Sequence, residues 1–347
     1  MEECTVLRSL EKNKVLIIAE AGVNHNGSVE IAKQLAYAAK QSGADCVKYQ
    51  SFSTGELVSR TAKLAPYQRE GISQNKYQYD LLKKLELSQK SHKELISYCK
   101  EIEIDFLSTP FDIPSLHMLL NLGLKSVKIS SGDLTNPFLL KALPLKDLRV
   151  ILSTGMANET EIQDALDCFD FEVANKVDLS LLHCTSEYPC PLEQVNLKAI
   201  TTMTSKFKVP VGFSDHSKEI FTPALAVSVG ATIIEKHITL DRKLSGPDHK
   251  ASLEPSEFKK MSELIRSAEK SLGTGVKEPS IKELENKDTM RKSLVASCAI
   301  KKGEHFSMDN LTAKRPGTGV SPMYANHIIG KKADQDYAAG SKIRFMP

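Results

Sequence analysis

Short apolar runs in this 347-residue sequence repeatedly end in side chains that can do chemistry. Val15–Glu20 closes on a carboxylate and runs into the turn GVNHNG, and Asp45–Gln50 carries Lys48 and Gln50. Asp105–Ser108 leads into Thr109. Ser126–Ser131 contains Lys128 and Ser131 and is followed by Asp133, and Arg149–Thr154 ends in hydroxyls. Asp178–Cys184 continues into Thr185, Ser186, Glu187 and Tyr188. Val209–Phe213 is followed by Ser214, Asp215 and His216, and Thr232–His237 ends Glu235-Lys236-His237. Two ammonium groups with neighbouring hydroxyls, Lys48, Thr109, Lys128 and Ser131, suit a phosphate beside a carboxylate. His216 and His237 could share a divalent metal whose open positions water or substrate would fill. Glu235 and Asp248 lie near them in sequence, and a structural zinc site is not expected without a Cys/His cluster. Lys236, between Glu235 and His237, faces away from both and pairs in a helix layer. Cys184 reads as a buried, unreactive thiol.

These groups can act together only if the fold brings them together. The eight runs are nearly continuous in Val, Ile, Leu and Phe, as parallel strands covered on both faces require. Helical periodicity fills the gaps: Ile31, Leu35 and Ala39 share a face, with Ser28 as N-cap. Ser91 with Glu94, and Asn158 with Glu161, have capping-box spacing, and Pro255 suits the first turn of a helix ending near Leu272. Eight strand–helix units in about 270 residues imply a (β/α)₈ barrel, whose chemistry belongs at the C-terminal strand ends. A doubly wound sheet would alternate in the same way, so periodicity leaves it open. GVNHNG lacks the spacing of a dinucleotide fingerprint. The stretch from Ser51 to about Leu87, polar and aromatic with Tyr67, Tyr77 and Tyr79, reads as the longest loop, and a loop that long in a compact domain is functional.

Beyond the barrel, Gly273–Lys287 is polar with Gly and Pro and reads as a linker; the boundaries expected are 1–274, 275–290 and 291–347. Ser293–Ile300 is expected as a strand, Lys301-Lys302-Gly303 as a turn, and Leu311–Lys314 as its pairing partner. About 60 residues make a marginal core, so this module should dock on something.

Composition removes several classes. With 46 basic and 43 acidic residues the net charge is +3, too small for a nucleic-acid footprint. Residues 285–347 carry eleven basic and six acidic side chains, leaving the remainder slightly negative. Seven cysteines with no C-x-x-C pair indicate reduced thiols. No apolar leader opens the chain and no apolar run approaches 18 residues, so a cytoplasmic protein without membrane contact is expected.

EAGVNHNGS (20–28), VKYQSF (47–52), LSTPFD (107–112), KISSGD (128–133), ILSTGM (151–156), LLHCTSEYP (181–189), GFSDHS (212–217), IIEKHITLD (233–241), SGPDHKAS (245–252) and KRPGTGVSP (314–322) together resemble the sialic acid synthases. The resemblance runs in order along nearly the whole chain. KLAPYQ (63–68) and DHKASLEP (248–255) are closer to bacterial members, including the legionaminic acid branch. It implies a TIM barrel followed by an antifreeze-like (SAF) module, to which AIKKGEHFSMDNLTAKRPG (299–317) is similar. It also implies condensation of phosphoenolpyruvate with an N-acetylated mannosamine-type aldose, in a cytoplasmic, domain-swapped homodimer that uses Mn²⁺ or Mg²⁺.

By resemblance, Lys48, Thr109, Lys128, Ser131, Ser186 and Ser214 hold phosphoenolpyruvate, and His216 and His237 hold the metal. Gln50, Tyr188, Asp248 and a partner's Arg315 meet the sugar. Glu20, Lys48, Glu235 and Asp248 form the catalytic set, and the three carboxylates are unranked in proton handling. N-acetylmannosamine, giving N-acetylneuraminate, is the leading sugar; the 6-deoxy diacetamido sugar that gives legionaminate is the alternative. Two departures stand out: Asp133 replaces a usual Glu, shortening its reach by one methylene, and Ser186 occupies a variable position. The rivals are a 3-deoxy-keto acid synthase, which would need a second basic cluster, and a non-catalytic carbohydrate- or ice-binding protein.

Overall fold

In a computed structural model, residues 14–64, 77–169 and 178–344 are described. Tyr67 and most of KLAPYQ lie outside these residues. Backbone contacts divide the chain into two units, meeting at Gly273 and Thr274.

The first unit is the barrel. Its strands are β1 (Leu16–Gly22), β2 (Cys46–Ser51), β3 (Asp105–Pro110), β4 (Ser126–Ile129), β5 (Arg149–Ser153), β6 (Asp178–Cys184), β7 (Val211–Asp215) and β8 (Ile233–His237). Their order, β3-β2-β1-β8-β7-β6-β5-β4, is parallel throughout, and β3 and β4 lie alongside one another to close the ring. A doubly wound sheet is thereby excluded.

Strand alternation explains where the chemistry falls. Leu16, Ile18, Cys46, Leu107, Ile151, Leu182 and Ile233 pack as one cluster inside the barrel. Two residues further on, five of these six inward series turn polar: Glu20 follows Ile18, Lys48 follows Cys46, Thr109 follows Leu107, Ser153 follows Ile151, and Glu235 follows Ile233, while on β6 Cys184 follows Leu182. The floor is thus apolar and the C-terminal mouth polar on the same faces of the same strands. Gly212 belongs to the floor because a Cβ there would lie 2.5 Å from the Ile233 carbonyl oxygen. The outward residues, among them Ile17, Val47, Tyr49 and Phe213, pack under the helices in the larger core.

Local signals account for most helix starts. Ser28 accepts from the Ile31 amide at the head of Val29–Gln41. Asn158 and Glu161 form the expected capping box before Glu159–Asp167, and Pro255 opens Pro255–Leu272. The expectation at Ser91 is corrected: Ser88 caps Gln89–Glu101 and accepts from the Ser91 amide, while Glu94 pairs with Lys33. Starting at Ser88 puts His92, Leu95 and Cys99 on the buried face, where His92 meets Ser51 Oγ at 2.7 Å. The 51–87 stretch is not bare loop either, for it contains helices Thr54–Leu57 and Gln78–Leu85.

In the second unit, β9 (Ser293–Ala296) pairs antiparallel with β10 (Leu311–Lys314) over a core that includes Leu294, Ile300, Phe306 and Tyr337. β9 is shorter than expected, and Ile300 instead bridges Tyr337. The segment expected as a linker carries a helix. Ile281–Met290 is helical, with a Ser280/Glu283 capping box, although every residue of it is exposed. The S-x-x-E spacing was readable there, but the polar composition masked it.

Candidate active site

A cavity of about 370 Å³ opens in the barrel mouth, and its walls carry Glu20, Lys48, Gln50, Thr109, Lys128 and Ser131 from β1 to the turn after β4. Ser186, Tyr188, Ser214, His216, Glu235, His237 and Asp248 complete the polar wall from the β6 side to the segment after β8. Arg315 is the exception: it is exposed in the second unit, directly after β10.

At the bottom of the cavity lies a buried charge cluster. Lys48 Nζ is 2.7 Å from Glu20 Oε2, 3.6 Å from Glu235 Oε2 and 3.1 Å from Thr109 Oγ1. Lys128 Nζ is 3.3 Å from Glu235 Oε1, which also accepts from Ser214 Oγ at 2.9 Å. Burial by itself would raise the Glu235 carboxyl, but Lys128 and Lys48 outweigh it and hold the group down at about 2. Burial would strip the proton from Lys48; Glu20 and Glu235 reverse this and hold its pKa above the usual value. Lys48 is therefore charged, and both Lys48 and Lys128 already face carboxylates. Gln50 Nε2 donates to Glu20 Oε1 at 3.1 Å and fixes that carboxylate from the other side.

The two histidines differ in what orients them. His216 Nδ1 meets the Thr185 carbonyl at 2.6 Å, so it carries the proton and leaves Nε2 as an acceptor near Ser214. His237 Nδ1 is buried without a hydrogen-bond partner, 3.9 Å from Asp248 Oδ2. The rings stand 5.7 Å apart, and Tyr188 packs 4.1 Å from His216. Burial pushes both imidazoles down to about 3, His237 helping to depress His216 and Lys48 helping to depress His237. Both are thus neutral, the form that binds a metal ion. Burial, with Glu20 nearby, pushes Asp248 up to about 7.

An unpartnered buried imidazole nitrogen beside a second neutral imidazole fits a divalent ion. Among the described residues, no group of three or more His, Cys, Asp or Glu side chains is placed to hold one. Such an ion would have two protein ligands, and water or substrate would supply the remainder.

On the β4–β6 side, the Gly155 amide donates to Ser131 Oγ at 2.9 Å, and Cys184 Sγ lies 3.2 Å from the same oxygen. A Cβ on Gly155 would sit 2.3 Å from Ser186 Oγ, so a side chain there would displace the hydroxyls. Asp133 turns away from the cavity: it accepts from Ser130 Oγ at 2.6 Å and Asn136 Nδ2 at 3.2 Å, bracing its own turn. Lys236 pairs with Asp215 behind the strands, as alternation requires.

Sequence reasoning missed one whole wall. Val23, Phe52, Leu57, Leu82, Leu85 and Phe111 line the β1–β3 side of the cavity. Single apolar residues carry no chemical signal, but Phe52 and Phe111 continue the inward series of Lys48–Gln50 and Thr109 by two residues.

Comparison with known proteins shows the family. The sequence model of the NeuB family matches residues 35–277, and that of the SAF domain matches 291–345. The chain is 49% identical over 331 residues to the N,N'-diacetyllegionaminic acid synthase of Campylobacter jejuni, covering 95% of this chain and 99% of that protein. It is 44% identical to the enzyme of the same name from Legionella pneumophila, covering 94% of this chain and 92% of the other. The crystal structure of N-acetylneuraminic acid synthetase from Leptospira borgpetersenii superposes with a TM-score of 0.69 at 39% identity, over 79% of this chain and 90% of that one. With a (β/α)₈ barrel, an SAF domain and relatives matched almost end to end, this chain belongs to the NeuB family, the sialic acid synthases.

Proposed function

We propose that the protein condenses phosphoenolpyruvate with an acetamido aldose and water, giving a nine-carbon 2-keto acid and phosphate. The observation that carries this reading is the pair of buried ammonium groups, Lys48 and Lys128, gathered with Thr109, Ser131 and two neutral histidines at one barrel mouth. A non-catalytic sugar-binding protein has no use for buried ion pairs that cost several kcal/mol each to desolvate. A phosphorylated aldose would need a second cationic cluster, and the cavity walls carry no lysine or arginine beyond Lys48 and Lys128 among the described residues.

Lys48, Thr109, Lys128, Ser131, Ser186 and Ser214 hold the phosphate and carboxylate of phosphoenolpyruvate. Glu20 and Glu235 already neutralise the two lysines, so they leave little net charge to offset this anion. His216 and His237 would hold Mn²⁺ or Mg²⁺, which would supply that charge and Lewis-acid polarisation of an oxygen. Carbon C3 of phosphoenolpyruvate attacks the aldehyde carbon, forming the C–C bond while the aldehyde oxygen takes a proton and becomes a hydroxyl. Water adds to the oxocarbenium carbon C2. The C–O bond to phosphate then breaks, and C2 becomes the ketone. Holding both reactants in the mouth makes the first step effectively unimolecular. Asp248 is suited to hand over or accept a proton near neutrality, while Glu20 and Gln50 face sugar hydroxyls. Tyr188 stacks near the sugar, and Arg315 of a second copy reaches its N-acetyl group.

For the sugar, we favour the 6-deoxy diacetamido aldose over N-acetylmannosamine, supported by the two legionaminic acid synthase relatives and the apolar wall. The test is phosphate release from phosphoenolpyruvate with Mn²⁺ and each aldose. Lys48→Ala should raise KM for phosphoenolpyruvate about 100-fold through loss of a buried charge contact; an unaltered KM contradicts the anion site.

A further inference from the structure

We propose that Asn24, in the turn GVNHNG, is a positioning residue whose side-chain amide clamps the segment carrying Asp248 against the ends of β1 and β8. The kinetic consequence rests on the function proposed above; the contact itself does not.

Asn24 is buried, and its Nδ2 donates twice, to the Ile238 carbonyl at 2.8 Å and to Ser252 Oγ at 2.9 Å. Ser252 Oγ passes the contact on, donating to the Asp248 carbonyl at 2.7 Å. Ile238 directly follows His237, and its own amide donates to the Glu20 carbonyl at 2.9 Å. One side chain thus ties together the stretches that carry Glu20, His237 and Asp248. The residue type is apt, because a side-chain amide offers two N–H donors where serine offers one and an ionised aspartate none. Its orientation is set as well, since the reverse one would turn Oδ1 against the Ile238 carbonyl. Oδ1 itself is buried without a partner, so the two donations are kept at the cost of an unsatisfied acceptor. The turn grips the same segment a second time: Asn26 Nδ2 lies 3.4 Å from Nε2 of His249, the residue after Asp248.

Asp248 needs such a clamp more than its neighbours do. Glu20, Lys48 and Glu235 are placed by the barrel's own strand ladder, whereas Asp248 stands outside the strands, just before the one-turn helix His249–Ala251. Its carboxylate nevertheless sits close to strand residues. A Cβ on Gly22 would lie 3.1 Å from Glu20 Oε1, 3.3 Å from Gln50 Nε2 and 3.5 Å from Asp248 Oδ2. Side-chain contacts must hold that convergence, and the relay through Ser252 is the buried one.

Asn24→Ala and Ser252→Ala each break the relay, the second by removing a single hydroxyl. Each should lower kcat for phosphate release about tenfold, the scale of a small misplacement of a reacting group. KM for phosphoenolpyruvate should stay within about twofold of wild type, because the anion site lies on other strands and keeps its geometry. The double variant should lose no more than about twofold beyond Asn24→Ala, since both changes act through one chain of bonds. Hydrogen exchange reads the clamp independently of the reaction: the Ala251, Ser252 and Leu253 amides, bonded to the carbonyls of Asp248, His249 and His237, should exchange about tenfold faster in either variant. Unchanged exchange overturns the clamp. Wild-type kcat in the folded single variants, multiplied losses in the double variant, or a KM for phosphoenolpyruvate that rises as kcat falls overturns the positioning role. No phosphate release by the wild type with any aldose overturns the function and that role together, and the exchange rates then show whether the clamp stands without them.

Discussion

Lys236 Nζ lies 2.7 Å from Asp215 Oδ2, both side chains are fully buried, and each residue immediately precedes a cavity histidine, His237 and His216. The pair sits on the outer face of β7 and β8, and the histidines follow it into the mouth. Lys236 also donates to the carbonyls of Ser217, at 2.5 Å, and Glu219, at 3.1 Å, so its three protons are all used. Asp215 accepts from the Ser217 amide and Thr222 Oγ1. Burial lowers the Lys236 pKa, and Asp215 opposes that shift. The network therefore fixes the segment that carries His216.

Lys236→Met should destabilise the barrel by about 3–5 kcal/mol, because Asp215 would remain buried without its cation. Adding Asp215→Asn should recover part of that loss. In the double variant, kcat should still fall more than tenfold with KM for phosphoenolpyruvate little changed, because His216 would no longer be held against Thr185. Chemical denaturation and steady-state kinetics separate the two effects; full activity in the refolded double variant would make the network purely structural.

His216→Ala and His237→Ala bear on the proposed metal. Each should abolish turnover by a factor of about 100 or more while leaving the unfolding midpoint near that of the wild type, since neither ring is needed by the apolar floor. Equilibrium dialysis against Mn²⁺ gives a readout independent of activity: the wild type should bind one ion, and each variant far less. Chelation should silence the wild type, and added Mn²⁺ should restore it. Equal Mn²⁺ binding by all three proteins would remove the ion from these rings.

The barrel was legible because parallel strands buried on both faces leave a strong mark: eight apolar runs, each closed by polar residues. The site was legible for the same reason, since Lys48, Lys128 and Glu235 are conspicuous in apolar surroundings. Helix starts were less secure. Ser88 and Ser91 are equally good caps by type, and the burial of His92 and Leu95 decided between them. The 281–290 helix was hidden because an all-exposed helix has no apolar face to reveal it. The apolar wall escaped because Phe52 or Leu82 alone looks like ordinary core, and its meaning comes from standing beside Gln50 in a cavity.

His25 gives a pH prediction away from the charge cluster. Burial, with a smaller contribution from His92, pushes it down to about 4, and its Nε2 is buried without a partner while Nδ1 accepts from the Gly27 amide at 3.0 Å. The folded state therefore favours the neutral ring, whereas the unfolded chain takes up a proton near pH 6.5. Its contribution to stability is fully present above pH 6.5 and is lost as pH falls toward 4, by up to about 3 kcal/mol. His25→Asn, which keeps an acceptor for Gly27, should flatten the fall in unfolding free energy between pH 6.5 and 4. Parallel curves for wild type and variant would show that His25 does not titrate in this way.

Arg315 offers a test of the proposed dimer. If the SAF module of one copy serves the barrel of the other, Lys48→Ala and Arg315→Ala damage different halves of each site. Each homodimer should be nearly inactive. A heterodimer of the two variants, isolated with two affinity tags, joins an intact barrel from the Arg315→Ala copy to an intact module from the Lys48→Ala copy. One of its two sites is then whole, so it should recover about half of the wild-type activity. Were Arg315 to serve its own barrel, both sites of the heterodimer would stay broken and no activity would return, so the mixed dimer alone distinguishes exchange between copies from a contact within one chain.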